Sequence, residues 1–381
     1  MKNVRFATVL VAVLLISAFI LGGDQIWEKP QAITTSGANQ KVSPSPQIQP
    51  EPRPNPEPVK LVDYHGPIYH VFFHSLIAFP EIAYASNGGR GSLDRDCITV
   101  TEFKRTLDEL YKNNYVLIDM HSTYLIADEN GKTVVKDKQL KLPPGKKPLV
   151  MSVDDMVYDP KKMGTGMVDK VILDDKGQLA TYTRQRNGEE VISHDNDIIP
   201  ILEQFVGEHP DFSFQGAKAT LALTGWVGIL GYRIEAGASN RESEVLAVKP
   251  IVEKLKQDGW NFACHGYGHY DANKITAARF DRDTRKWKAE IEPVVGPTDI
   301  YVYPYGAIVP VNGDHYQVLL GNGFRFMCGV DMRPYWKNFG ASILMGRQAV
   351  DGYTLRHHQQ LLAPLLDTNL VFDAESRRST L

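Results

Sequence analysis

The chain has 381 residues, of which 43% are apolar and 23% charged, and it carries a net charge of −3. That length suits one large catalytic domain or two modest ones, and the balance is that of an ordinary globular body. A chain without basic excess gives no reason to expect nucleic acid as a partner.

The first segment stands apart. Lys2 and Arg5 precede an apolar run from Phe6 to Leu21, near the lower length limit for crossing a bilayer. A cleaved signal peptide shares the positive start and apolar centre, but no small-residue cleavage site precedes Gly22-Gly23-Asp24. Residues 1–28 therefore read as an uncleaved anchor in preference to a cleaved signal. The positive-inside rule puts Lys2 and Arg5 in the cytoplasm and the rest outside the cell membrane. Residues 29–60 contain Pro44, Pro46, Pro50, Pro52, Pro54, Pro56 and Pro58 among polar residues. Such a stretch cannot bury a core and reads as an extended linker.

Residues 61–381 read as the folded part. The run Ile68 to Ile77 is β-branched and aromatic and predicts a buried strand. Thr99 to Asn113 predicts a helix, capped at Thr101, with Phe103, Leu107, Leu110 and Tyr111 as its apolar stripe. Tyr115–Ile118 and Pro148–Val153 predict strands, the second running into Asp154-Asp155. Residues 158–193 are polar and glycine-containing and read as an insertion of strand-turn character. Ile198–Phe205 predicts a helix and Ala219–Thr224 a strand. Glu244–Gln257 predicts a helix that Pro250 can kink. Trp260–Ala263 and Ile300–Tyr303 predict two more strands. Strands alternating with helices imply α/β architecture with a mostly parallel sheet or barrel. Sites in such folds gather where strands end, and there stand His74, Asp154-Asp155, His265 and Pro304-Tyr305.

Each group has an ordinary reading as well. Adjacent acids in a loop are usually only solvated, a lone histidine pair can be surface, and Tyr-Pro-Tyr-Gly can be a turn. Asp154-Asp155 can instead supply one metal ligand and one free base. His265 and His269, if a helical turn starts at His265, face one side and suit a divalent metal with N and O ligands. Two histidines and one carboxylate leave open positions, as in hydrolytic sites. Cys97, Cys264 and Cys328 allow at most one internal disulfide and read as buried thiols.

The ordered set of these motifs resembles the polysaccharide deacetylases of carbohydrate esterase family 4, the NodB-homology group. Ser152-Val153-Asp154-Asp155-Met156 is similar to the family's first motif, with Met156 where glycine is usual. His265 to His269 resembles H-[ST]-x-x-H, with Gly266 at the hydroxyl position. Val302-Tyr303-Pro304-Tyr305 resembles R-x-P-Y, with valine for arginine. Ala219 to Gly225 is similar to the family's A-T-F-F-V-T-G strand. The family's L-x-H is missing, since Ile343-Leu344-Met345-Gly346 ends in glycine. Val71 to Leu76 resembles the L-M-Y-H-x-V strand of an extended branch that includes poly-N-acetylglucosamine deacetylases.

The resemblance implies a distorted (β/α) barrel and a hydrolase of linear amides that removes acetyl groups from an extracellular amino-sugar polymer. It implies a divalent metal on Asp155, His265 and His269. Zinc is the default, and cobalt, nickel or another divalent ion would fit. Asp154 is then the base, the Tyr305 amide an oxyanion donor, and His74 the acid. His70 competes with His74, because the two share a strand face. Arg347 stands in for the arginine missing at Val302, or is a surface residue. Two rivals remain. One is an inactive metal- and glycan-binding wall module. The other is a same-fold hydrolase of another amide or ester.

Overall fold

The computed structural model describes residues 60–85 and 91–377. The anchor expected at 1–28 and nearly all of the linker at 29–60 lie outside them. Among the described residues no helix is long and apolar enough to cross a membrane.

Seven parallel strands close on themselves: β1 (Tyr69–His74), β2 (Lys147–Asp154), β3 (Thr220–Leu223), β4 (Asn261–Cys264), β5 (Ile300–Val302), β6 (Phe326–Val330) and β7 (Ile343–Ala349). The ring runs β3-β4-β5-β6-β7-β1-β2 and returns from β2 to β3. The strand Tyr115–Leu117 pairs with the start of β2, at Lys147 to Leu149, and β3 takes the same edge further along, at Ser152 to Asp154. β2 thus serves three neighbours, and the barrel is closed and distorted.

The alternation of side chains across a strand builds two cores. Val71, Phe73, Met151, Val153, Leu221 and Leu223 point outward into one cluster with helix residues such as Phe103, Leu202, Leu255 and Trp287. Those come from the helices Val100–Lys112, Ile198–Glu208, Arg241–Gln257 and Ala277–Glu290. Val150, Ala222, Ala263, Ile300, Val302, Phe326 and Cys328 point inward. Each fully buried Leu or Phe contributes about 1.5–3 kcal/mol. Cys97, Cys264 and Cys328 are buried and free.

Several expectations shift. The first long helix starts at Val100 and its cap is Thr99, not Thr101. Glu102 stands three residues after Thr99 and completes a capping box, whereas Lys104 would stand there for Thr101. Pro250 lies within one continuous helix, Arg241–Gln257. Residues 170–193 form a three-stranded antiparallel sheet, Lys170–Leu173, Leu179–Arg184 and Glu190–Ser193. The strands β6 and β7, the helix Ala277–Glu290 and the hairpin Tyr124–Glu129 with Lys132–Asp137 were not expected.

The hairpin belongs to the end of the barrel where strands begin. Tyr124 stacks on Phe326, the first residue of β6, with ring centroids 4.9 Å apart. Its hydroxyl donates to Asp299, just before β5, at 2.6 Å. His121 sits between Asp119 at 2.9 Å and Asp299 at 3.0 Å. Burial alone would lower that imidazole's pKa, but the two carboxylates outweigh it and raise it to about 10.

Candidate active site

At the opposite end the inward faces turn polar. Asp154 is the last residue of β2 and points inward, next to His74 at the end of β1, whose Cα is its register partner. His265 follows β4 and keeps its inward parity. Asp155, His265 and His269 each offer one ligand atom, and these atoms lie within 4.8 Å of one another.

The His265 Nδ1–H donates to the Val302 carbonyl at 2.9 Å, which leaves Nε2 with its lone pair facing the cluster. The tautomer follows from the partner, because a carbonyl only accepts. His269 Nε2 is 3.6 Å from Asp155 Oδ2. Burial pushes the His269 imidazole down to about 4, against the pull of Asp155, so it is neutral and able to bind a cation near neutral pH. The donor set of two imidazoles and a carboxylate fits a divalent metal.

The two histidines do not come from a helical turn. Residues 265–269 form a loop, in which Gly266 (φ +66) and His269 (φ +52) are both left-handed. The cause is Asp283 on the helix Ala277–Glu290, which accepts the amides of Tyr267 and Gly268, both at 2.8 Å. That carboxylate folds the loop back, and the imidazoles meet with centroids 4.9 Å apart. At Gly266 the left-handed backbone disfavours the hydroxyl residue of the family motif, and an added Cβ would stand 3.2 Å from Asp283.

Strain gathers here. Asp155 (φ +57) and Tyr305 (φ +58) are left-handed as well as His269. Each costs on the order of 1 kcal/mol or more, and such costs persist where surrounding structure imposes them. The Tyr305 side chain is 70% exposed, with its ring 4.6 Å from that of His269.

Arg347 comes from β7 and is buried beside Asp154. Its Nη1 donates to Oδ1 at 2.8 Å and its Nη2 to Oδ2 at 3.0 Å. A two-pronged contact of this kind orients a carboxylate better than a point charge does. Burial pushes the Asp154 pKa up, but Arg347 and then His265 outweigh it and hold the group well below the usual carboxylate range. Val302, where the family has arginine, fills the barrel interior instead.

His74 and His70 take different places. His74 is half-buried and its Nδ1–H donates to the Asp96 carbonyl at 2.9 Å. That leaves Nε2 for the cleft. His70 lies deeper in the barrel, wholly buried, with Nε2 2.9 Å from Ser152 Oγ. A substrate amine at the mouth cannot reach it. Gly346 points out of the barrel, where an added Cβ would stand 2.6 Å from that of Asp331. A histidine at that position would need the neighbouring loop to move. Met156, where glycine is usual, packs wholly buried, and Ser75 donates to its sulfur at 3.4 Å.

A cavity of about 300 Å³ opens beside the ligands, lined by Ser75, Tyr158, Met167, Trp226 and Tyr305 as well as Asp155 and His269. Asp197, which the sequence did not single out, stands behind its wall. It accepts from the Leu76 amide at 3.0 Å and the Tyr158 hydroxyl at 2.7 Å. Burial raises its pKa to about 6.

Residues 212–327 match the model of the polysaccharide deacetylase family. The match holds His265, His269 and Tyr305, and bears out both the resemblance seen in the motifs and the class of hydrolase, one acting on N-acetyl amides. No curated protein matches the chain. Among solved structures, a Streptococcus pyogenes deacetylase in complex with acetate is 13% identical, with a TM-score of 0.44 over 80% of this chain and 99% of that one. A de-N-acetylase from Aggregatibacter actinomycetemcomitans is 14% identical, with a TM-score of 0.43 over 75% of this chain and 96% of that one. A pseudoenzyme of carbohydrate esterase family 4 from Bacillus anthracis is 10% identical, with a TM-score of 0.26 over 44% and 55%.

Proposed function

We propose that this chain is a metal-dependent N-deacetylase of an extracellular amino-sugar polymer, of the peptidoglycan or poly-N-acetylglucosamine type. One observation carries the reading. A three-residue ligand set, Asp155, His265 and His269, stands beside a carboxylate, Asp154, that is held by Arg347. A site that only bound metal would have no use for an oriented base next to it.

Hydrolysis of an acetamide needs the carbonyl polarised, water deprotonated and the departing amine protonated. A divalent ion held by Asp155, His265 and His269, zinc by default, supplies Lewis acidity to the first two needs. Asp154 takes the proton from water, and Arg347 keeps both its oxygens aimed. The Tyr305 amide, which has no backbone acceptor among the described residues, donates to the developing oxyanion. His74, positioned through Nδ1, gives a proton from Nε2 to the leaving amine. Trp226 and Tyr305 offer exposed aromatic faces at the cavity rim, suited to stacking on sugar rings. We also assign residues 1–28 to a membrane anchor that places the folded part outside the cell, because Phe6 to Leu21 is apolar behind two cations.

Acetate release from chitooligosaccharides, peptidoglycan and acetylxylan tests the function. Release from an amino-sugar substrate is expected. Release from acetylxylan alone would turn the reading to ester hydrolysis. Glycan binding with no release from any of the three would point to the inactive wall module. Washing membranes with carbonate tests the anchor: the full chain should stay with the membrane, and its recovery in the wash would refute it.

A further inference from the structure

Beneath Asp154, inside the barrel, lies a polar group that the chemistry above does not use. Ser152 is two residues before Asp154 on β2 and points to the same interior, with no exposure. His70 on β1 is equally buried. Arg347 Nη1 donates to Ser152 Oγ at 3.1 Å as well as to Asp154. The Phe72 ring, also from β1, lies against the guanidinium face, 4.2 Å from centroid to Cζ.

What each atom can do limits the direction of each bond. A guanidinium only donates, so Ser152 Oγ accepts from Arg347. Its own hydrogen is then free for His70 Nε2, 2.9 Å away. Oγ also keeps a second lone pair, so the contact closes with either tautomer of a neutral His70 ring. Burial, and then the nearby Arg347 charge, hold the His70 pKa well below its ordinary value, in agreement with a neutral ring. A chain of contacts results, from Arg347 to Ser152 to His70. It spans β7, β2 and β1, which are neighbours in the ring.

We infer that His70 and Ser152 are positioning residues, a buried brace that fixes the Arg347 fork and through it the orientation of the base Asp154. Arg347 Nη1 is shared between two oxygens, so its place is set by both. With Ser152 Oγ removed, the fork keeps its charge but loses the contact that fixes its height in the barrel. Misplacement of a catalytic group by about 1 Å can cost up to about a hundredfold in rate. The inference rests on the deacetylase reading for its effect on rate, but not for the contacts within the brace.

The test uses the full chain loaded with zinc, and the variants Ser152→Ala, Ser152→Thr and His70→Gln. Ser152→Ala should lower kcat on an N-acetylglucosamine oligomer by about tenfold or more, with KM within about twofold and metal content unchanged. Ser152→Thr keeps the hydroxyl and should recover kcat to within about threefold of the parent. Long-range proton–nitrogen spectra give a readout free of activity. They should show His70 as a neutral ring near neutral pH, with a shift at Nε2 in Ser152→Ala that Ser152→Thr lacks. His70→Gln identifies the resonance. An imidazolium, or an Nε2 resonance unmoved in Ser152→Ala, would overturn the brace. So would unchanged kcat in Ser152→Ala, or equal losses in the Ala and Thr variants. If the parent releases no acetate while the His70 resonance responds to Ser152→Ala as stated, the deacetylase reading fails and the brace stands.

Discussion

Where the strands begin, charges are matched among themselves. His121 lies between Asp119 and Asp299, Tyr124 donates to Asp299, and a hairpin covers them. Where the strands finish, Asp155, Tyr158, His269 and Tyr305 hold left-handed backbone, two imidazoles and a carboxylate converge, and large aromatic faces are exposed. The same barrel carries both ends. The difference shows that convergence of like donors and local strain are not faults of the fold. The converging donors lie at one end, while left-handed residues occur at both, Asn130 of the hairpin among them.

The largest break of that contrast should come from Asp154→Asn. The substitution keeps the shape and removes the base, so turnover should fall about 10²–10⁴-fold while metal content holds. Acetate release at the parent rate would take Asp154 out of the mechanism.

His74→Ala comes next. An amine must be protonated to leave and an activated phenol need not be. Turnover of an N-acetylglucosamine oligomer should fall about 10²-fold, with an aryl acetate largely spared. Equal losses on both substrates would show that His74 serves the metal or the fold instead.

At the closed end the effect is smaller and depends on pH. The folded pKa of His121 is raised above its unfolded value, to about 10. Its contribution is therefore fully present below the unfolded value and is lost as pH rises through about 10. His121→Gln should lower stability by about 1 kcal/mol at mildly acidic pH, a figure discounted for the exposed flank of the ring. The difference in Tm should vanish in strong alkali and kcat should not change. A pH-independent difference would mean lost packing, not lost charge.

The smallest effect has the opposite sign. Tyr305→Gly removes a left-handed tyrosine and should raise stability by about 0.5–1 kcal/mol in urea unfolding, while weakening glycan binding. A clear loss of stability would show that ring stacking on His269 outweighs the strain.

Much of the open end was legible because strand periodicity and chemistry coincide. The apolar runs before His74, Asp154 and His265 end on the residues that converge. What escaped did so for physical reasons. Asp283 sits in Ala277–Glu290, a helix so rich in charge that its apolar stripe of Phe280 and Trp287 is easily missed. Its carboxylate looks like any surface acid until the loop amides are seen on it. Arg347 could be assigned only through the resemblance, because a fork between β7 and β2 joins residues 193 positions apart. The strands β6 and β7 alternate too little to announce themselves, being buried on both faces. The hairpin at the closed end did carry a signal. Asn130-Gly131, both left-handed, is the two-residue turn that favours a hairpin.

The most direct test of the central claim is acetate release from an N-acetylglucosamine oligomer by the chelated chain during back-titration with zinc. The account predicts no release from the chelated chain and activity rising to a plateau at one equivalent of metal. His265→Ala combined with His269→Ala should show neither stoichiometric binding nor release. Full release by the chelated chain, or stoichiometric metal in the doubly substituted one, would contradict it.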